Sequence, residues 1–122
     1  MEPHTILIID QEEAVRDSLR LVLNEEGFCC YTANDEIMAM QILKAGKVEL
    51  IILDSQVYGK TQLLEKIKGE YPAIKIILLS SYAEVEVTQQ ALNRGADDFV
   101  LKPLDFDELI QLVKKFIAKL EA

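Results

Sequence analysis

Five short segments of the chain are almost wholly apolar, and between them the apolar positions recur every three or four residues. TILIID (5–10), FCCYTA (28–33), VELIILD (48–54), IKIILLS (74–80) and DDFVL (97–101) are rich in β-formers. Three of these are nearly continuous hydrophobic runs, as expected of strands covered on both faces. The intervening stretches carry helical spacing: Val15, Leu19, Val22 and Leu23; then Ile37 to Ala45; then Leu63, Leu64, Ile67 and Tyr71; and last Leu109, Val113, Phe116 and Leu120. A further helix is predicted over Glu84–Arg94, with a thin apolar stripe. Gly27 and Gly95 are placed to close the first and fourth helices, and Pro72 follows the third. Asp105 with Glu108 reads as a capping box for the last helix, whose lysines 114, 115 and 119 lie late, where the helix dipole favours them.

The pattern is therefore five strands alternating with five helices. Strict alternation with strands apolar on both sides implies a parallel sheet with right-handed crossovers and helices on both faces. In such a doubly wound α/β sheet, ligands bind beyond the carboxyl ends of the strands. No repeat, low-complexity tract or linker interrupts residues 1–122, which read as one domain.

Half of the 122 residues are hydrophobic, enough for a sizeable core. No apolar run approaches the roughly 20 residues needed to span a bilayer, and the first ten residues lack the pattern of a signal peptide, so a cytoplasmic address is expected. A net charge of −8 repels nucleic-acid phosphates, which argues against direct DNA or RNA binding. Cys29 and Cys30 are adjacent in a strand, on opposite faces, and read as core thiols. His4 has no partner at metal-binding spacing and reads as a solvated terminal residue; Met38 and Met40 read as helix packing.

The expected site is the carboxyl edge of the sheet, where Asp10 ends the first strand, Asp54 the third and Ser80 the fourth, while Lys102 follows the fifth. Two carboxylates in a partly dehydrated crevice repel unless a cation neutralises them, and Mg²⁺ prefers oxygen ligands with retained waters. An ammonium and a hydroxyl facing the same point suit phosphoryl oxygens. The chemistry these groups fit is phosphoryl transfer to or from a carboxylate.

From Thr5 to about Leu120 the sequence resembles the receiver (CheY-like) domains of bacterial two-component response regulators, most nearly those of the NtrC type. IIDQEEAVRDSL resembles their acidic opening and first helix, LIILD the phospho-acceptor strand, LLSSY the switch-hydroxyl strand and GADDFVLKP the closing motif. The resemblance implies the strand order 2-1-3-4-5. It also implies Asp54 as phospho-acceptor, Asp10 as an acid of a Mg²⁺ site, the Gln56 backbone carbonyl as a further ligand, Ser80 as switch hydroxyl, Phe99 as switch aromatic and Lys102 as the site lysine. A cis Lys102–Pro103 bond belongs to the same pattern. The implied partners are a sensor histidine kinase, a downstream effector domain or protein, and a second copy in a phosphorylation-dependent homodimer, with no membrane contact.

The sequence departs from this pattern at two places. Gln11 stands where receivers carry a second, metal-ligating acid, so an amide oxygen there adds no charge, and Glu12 compensates only by reaching in from the first helical turn. After Asp54, the segment DSQVYGKTQLL has Tyr58 in place of the usual proline and is about two residues short. Gln56 and Tyr82 occupy positions that tune acyl-phosphate lifetime in relatives. These departures leave a second reading open, a pseudo-receiver that binds partners without phosphorylation. A third, a phosphatase of the haloacid-dehalogenase kind, is disfavoured by Gln56, because that family carries an acid there.

Overall fold

A computed structural model of the chain describes residues 2–121. The five strands are β1 (Thr5–Ile9), β2 (Cys29–Ala33), β3 (Leu50–Asp54), β4 (Lys75–Ser80) and β5 (Asp98–Leu101), all parallel, in the order β2-β1-β3-β4-β5. The helices are α1 (Glu13–Glu25), α2 (Glu36–Ala45), α3 (Ser55–Lys60), α4 (Leu63–Glu70), α5 (Val85–Asn93) and α6 (Phe106–Glu121), with a 3₁₀ turn at Tyr82–Glu84.

Period-two alternation along the central strands divides the core in two. Leu7, Ile9, Ile51, Leu53, Ile76 and Leu78 face α2, α3, α4 and α5. Their neighbours Ile6, Ile8, Leu50, Ile52, Ile77 and Leu79 face α1 and α6, where they meet Leu19, Leu23, Leu109 and Val113. Each fully buried aliphatic side chain contributes about 1.5–3 kcal/mol over the exposed state. The sheet is therefore anchored from both sides, with alternate residues of each central strand buried in opposite layers.

Several helix boundaries follow from local chemistry. Asp35 accepts from the Met38 backbone N–H at the start of α2. Gly27 (φ +94°) and Gly95 (φ +120°) stand just beyond α1 and α5 in left-handed backbone that a side chain would strain. Asp105 accepts from the backbone of Asp107 and Glu108, which is the forward half of the expected capping box. The complete box lies at Ser81 and Glu84, where each side chain bonds the other residue's backbone.

Three expectations are corrected. A sixth helix, α3, occupies the segment after Asp54, where only a connection was expected. Cys29 and Cys30 are only half-buried, on the edge strand β2; Cys30 packs against the core layer under α1 and α6, where burial, and then the neighbouring Cys29, pushes its thiol up to about 12. His4 is no free terminal side chain: its Nδ1 lies 2.7 Å from Glu49 and its Nε2 3.4 Å from Glu121.

Candidate functional site

Parallel register brings the expected residues to one edge. Ile9 pairs with Leu53, Asp54 with Leu79 and Ser80 with Leu101, so Asp10, Asp54, Ser80 and Lys102 leave their strands at the same level. The Lys102 backbone N–H donates to the Ser80 carbonyl at 2.6 Å, extending the β4–β5 ladder to the site lysine. The Lys102–Pro103 peptide is cis.

Asp10 is wholly buried and Asp54 nearly so. Between them stands Lys102, whose ammonium donates to Asp10 Oδ2 and to Asp54 Oδ1, each at 3.2 Å. Asp10 Oδ1 accepts from the Glu12 backbone N–H at 2.9 Å, and Arg16 donates to the Asp10 carbonyl at 2.7 Å. The first turn of α1 thus fixes Asp10 on both its side chain and its backbone. Arg16 was not singled out in the sequence, because a single arginine at helical spacing reads as a surface charge.

Burial raises the Asp54 carboxyl above its ordinary value, and the Asp10 charge pushes the same way; Lys102 and the Gln56 backbone N–H oppose them without cancelling them. For Lys102, burial disfavours the charged form, but Asp54 and Asp10 outweigh it and its pKa is raised. One ammonium shared by two carboxylates leaves the cluster with a net negative charge, so a further cation or an electrophile is favoured there.

The remaining residues divide. Ser80 is fully buried, and its hydroxyl bonds the Thr88 hydroxyl on α5. Phe99 stands outward, 37% exposed. Beside it, between β5 and α5, runs an apolar groove of about 230 Å³ lined by Tyr82, Val85, Thr88, Leu92, Phe99 and Leu101. Gln11 is exposed. The Glu12 carboxylate reaches 4.0 Å from the Lys102 ammonium while remaining largely solvated. Gln56 lies in the first turn of α3, which directs its carbonyl along the helix toward Lys60 and away from the carboxylate edge.

A family profile described as "Response regulator receiver domain" matches residues 6–114. The chain belongs to the response regulator receiver domain family. Among relatives of this receiver, the nitrogen assimilation regulatory protein NtrX of Azorhizobium caulinodans is 31% identical over 121 residues, covering 96% of this chain and 27% of that protein. Sporulation initiation phosphotransferase F of Bacillus subtilis is 30% identical, covering 92% of both chains. In structure, the receiver domain of NtrX from Brucella abortus superposes with a TM-score of 0.86 at 30% identity, covering 93% of this chain and 98% of that one. The receiver spans about a quarter of the NtrX-type proteins it matches, 24% of the NtrX-like regulator of Rickettsia bellii for example.

Receiver domains generally bind Mg²⁺, and the donors of this receiver suit a hard cation, since both carboxylates that converge on Lys102 present oxygen alone. The fit is reduced in charge. Among the described residues no three acids, histidines or cysteines are placed to hold a metal ion together, and Gln11, next to Asp10, is exposed and offers an uncharged amide.

Proposed function

We propose that this receiver accepts a phosphoryl group on Asp54 from the phosphohistidine of a sensor histidine kinase in the cytoplasm, and passes the signal to an effector domain or protein. The observation that carries this reading is the shared Lys102 ammonium, which holds Asp54 against Asp10 at the mouth of the sheet. Asp54 attacks phosphorus in line; the new P–O bond forms as the P–N bond to imidazole breaks. Lys102 stays beside the transferred group and neutralises charge that builds on its oxygens. Asp10, Asp54 and the Gln11 amide oxygen would hold Mg²⁺, which supplies charge neutralisation for the phosphoryl oxygens. The helical course of Gln56 argues against its carbonyl as a ligand in this chain.

The aspartyl phosphate then acts as a switch between two populated conformations. Ser80 turns to bond a phosphoryl oxygen, and Phe99 turns into the adjacent groove, which has room for its ring. The face formed by α5, β5 and α6 changes shape and serves as the contact for an effector or a second copy. Catalysis is confined to the chain's own phosphorylation and hydrolysis.

Exposed Gln11 and helical Gln56 favour a second reading, a pseudo-receiver that binds partners without phosphorylation. Incubation with acetyl phosphate and Mg²⁺, followed by mass spectrometry, separates the two. The phospho-acceptor reading expects an adduct on the wild type and none on Asp54→Ala; an unmodified wild type overturns it.

A further inference from the structure

The hydroxyl of Ser80 has one side-chain partner among the described residues, and that partner lies outside the carboxylate cluster: the hydroxyl of Thr88, one turn into α5. Both groups are buried, Ser80 completely and Thr88 to 7% exposure. Thr88 and Ala91 are the two buried residues of α5, so this hydroxyl pair is the polar attachment of a thinly packed helix to the end of β4. On such a face an alanine or valine would pack as well. A threonine adds only the bond to Ser80.

We propose that Thr88 is a positioning residue for the switch, a latch that holds Ser80 in the resting orientation and ties α5 to it. The inference rests on the phospho-acceptor reading of Asp54. To donate its single hydrogen toward a group on Asp54, Ser80 turns about χ1, and the turn takes its oxygen away from Thr88. Thr88 is then a buried hydroxyl without its partner. In a helix such a hydroxyl regains one by bonding the carbonyl four residues back, which bends the helix. That carbonyl belongs to Glu84, the junction between the 3₁₀ turn and α5, where the Ser81–Glu84 box sets the direction of entry. Capture of Ser80 at the site and reorientation of α5 are thus coupled through one hydrogen bond, and Tyr82, Val85 and the Phe99 groove move with it.

The test is the affinity for beryllofluoride, a phosphoryl mimic, with Mg²⁺, followed by amide NMR shifts in α5. It compares wild type, Thr88→Val, Thr88→Ser, Ser80→Ala and the Ser80→Ala/Thr88→Val double variant, with Thr88→Ala as the second apolar replacement should the valine variant fold poorly. Loss of the latch leaves Ser80 unpaired only in the resting state, so Thr88→Val is expected to bind roughly 3- to 10-fold more tightly than wild type. Thr88→Ser keeps the hydroxyl and is expected to stay within about twofold of wild type. In the Ser80→Ala background the valine gain is expected to vanish, since a double-mutant cycle isolates the pair. Unchanged or weaker binding by Thr88→Val, or a gain that persists without Ser80, overturns the latch and leaves the phospho-acceptor reading standing. A wild type that binds no beryllofluoride at Asp54 overturns both.

Discussion

The ammonium of Lys102 stands 3.2 Å from the carboxylate of Asp54 and is held equally close by Asp10. One cation therefore compensates two buried anions, and among the described residues neither carboxylate forms another ion pair. Lys102→Met keeps the apolar stem and removes the charge. Deleting one partner of a fully buried ion pair costs about 3–5 kcal/mol; here the Lys102 side chain is partly exposed, so a loss of about 1–3 kcal/mol is expected. Urea denaturation at neutral pH without divalent ions measures it. Added Mg²⁺ is expected to recover more stability in the variant than it adds to wild type, because the carboxylates then lack their own cation.

Under the proposed function, the uncharged Gln11 limits the charge offered to a metal. Gln11→Asp adds a third carboxylate at the rim of the Asp10–Asp54 pair, and Mg²⁺ affinity rises with ligand charge. Calorimetric titration is expected to show binding by both proteins, with the variant tighter by roughly tenfold. No heat from the wild type together with clear binding by the variant would favour the pseudo-receiver reading.

The architecture was legible because double-sided apolar runs admit few alternatives. Ile6–Ile9, Leu50–Leu53 and Ile76–Leu79 can be covered on both faces only inside a helix-flanked sheet, and parallel register then places Asp10, Asp54, Ser80 and Lys102 together. What stayed hidden depends on contacts remote in sequence or on segments too short to show a period. The six residues of α3 include Gly59, a poor helix former, and complete fewer than two turns. Its burial of Val57 and Tyr58 against the sheet holds it helical. Thr88 resembles any threonine on a weak stripe until β4 brings Ser80 against it, and His4 acquires its carboxylates from β3's approach and the end of α6.

Asp54 gives a pH dependence of defined sign. Its folded-state pKa lies above the ordinary value of 3.8, chiefly from burial and then from Asp10, so the folded chain holds this proton more tightly than the unfolded one. Stability therefore declines as pH rises from about 4 through the folded pKa, and stays lowered above it. Asp54→Asn carries no such charge. Its melting temperature is expected to exceed that of wild type by a few degrees at neutral pH, and the difference to shrink toward zero as pH falls to about 4. A gain that does not change with pH would point to packing instead.

Tyr58, in the short helix after Asp54, has its ring in the core with 3% exposure. Among the described residues its hydroxyl has no hydrogen-bond partner, and the neighbouring Ser55 hydroxyl is in the same condition. A buried polar group without a hydrogen bond costs about 1–3 kcal/mol, while the ring's apolar burial is shared by phenylalanine. Tyr58→Phe is expected to stabilise the domain by about 1 kcal/mol in urea denaturation, with an unchanged m-value. Destabilisation would show that the hydroxyl does find a partner in solution.

His4 connects the start of β1 to the β3 entry and the end of α6. Its Nδ1 faces Glu49, whose other oxygen accepts the Thr5 backbone N–H at 3.2 Å, and its Nε2 faces Glu121. The hydrogen bond that the imidazole donates to Glu49 raises its pKa above the ordinary 6.5; burial opposes this, and the charges of Glu49 and Glu121 reinforce the rise. A raised folded-state pKa means the stabilisation is complete below about 6.5 and is lost as pH rises through the folded value. All three side chains are partly solvated, which keeps the effect under about 1 kcal/mol. Wild type is expected to melt higher than His4→Gln near pH 6 and to converge with it at mildly alkaline pH. Salt should narrow the gap at pH 6, since the protonated form is held by solvated charges. A difference independent of both pH and salt would assign the effect to packing at the β1 entry, not to the imidazolium.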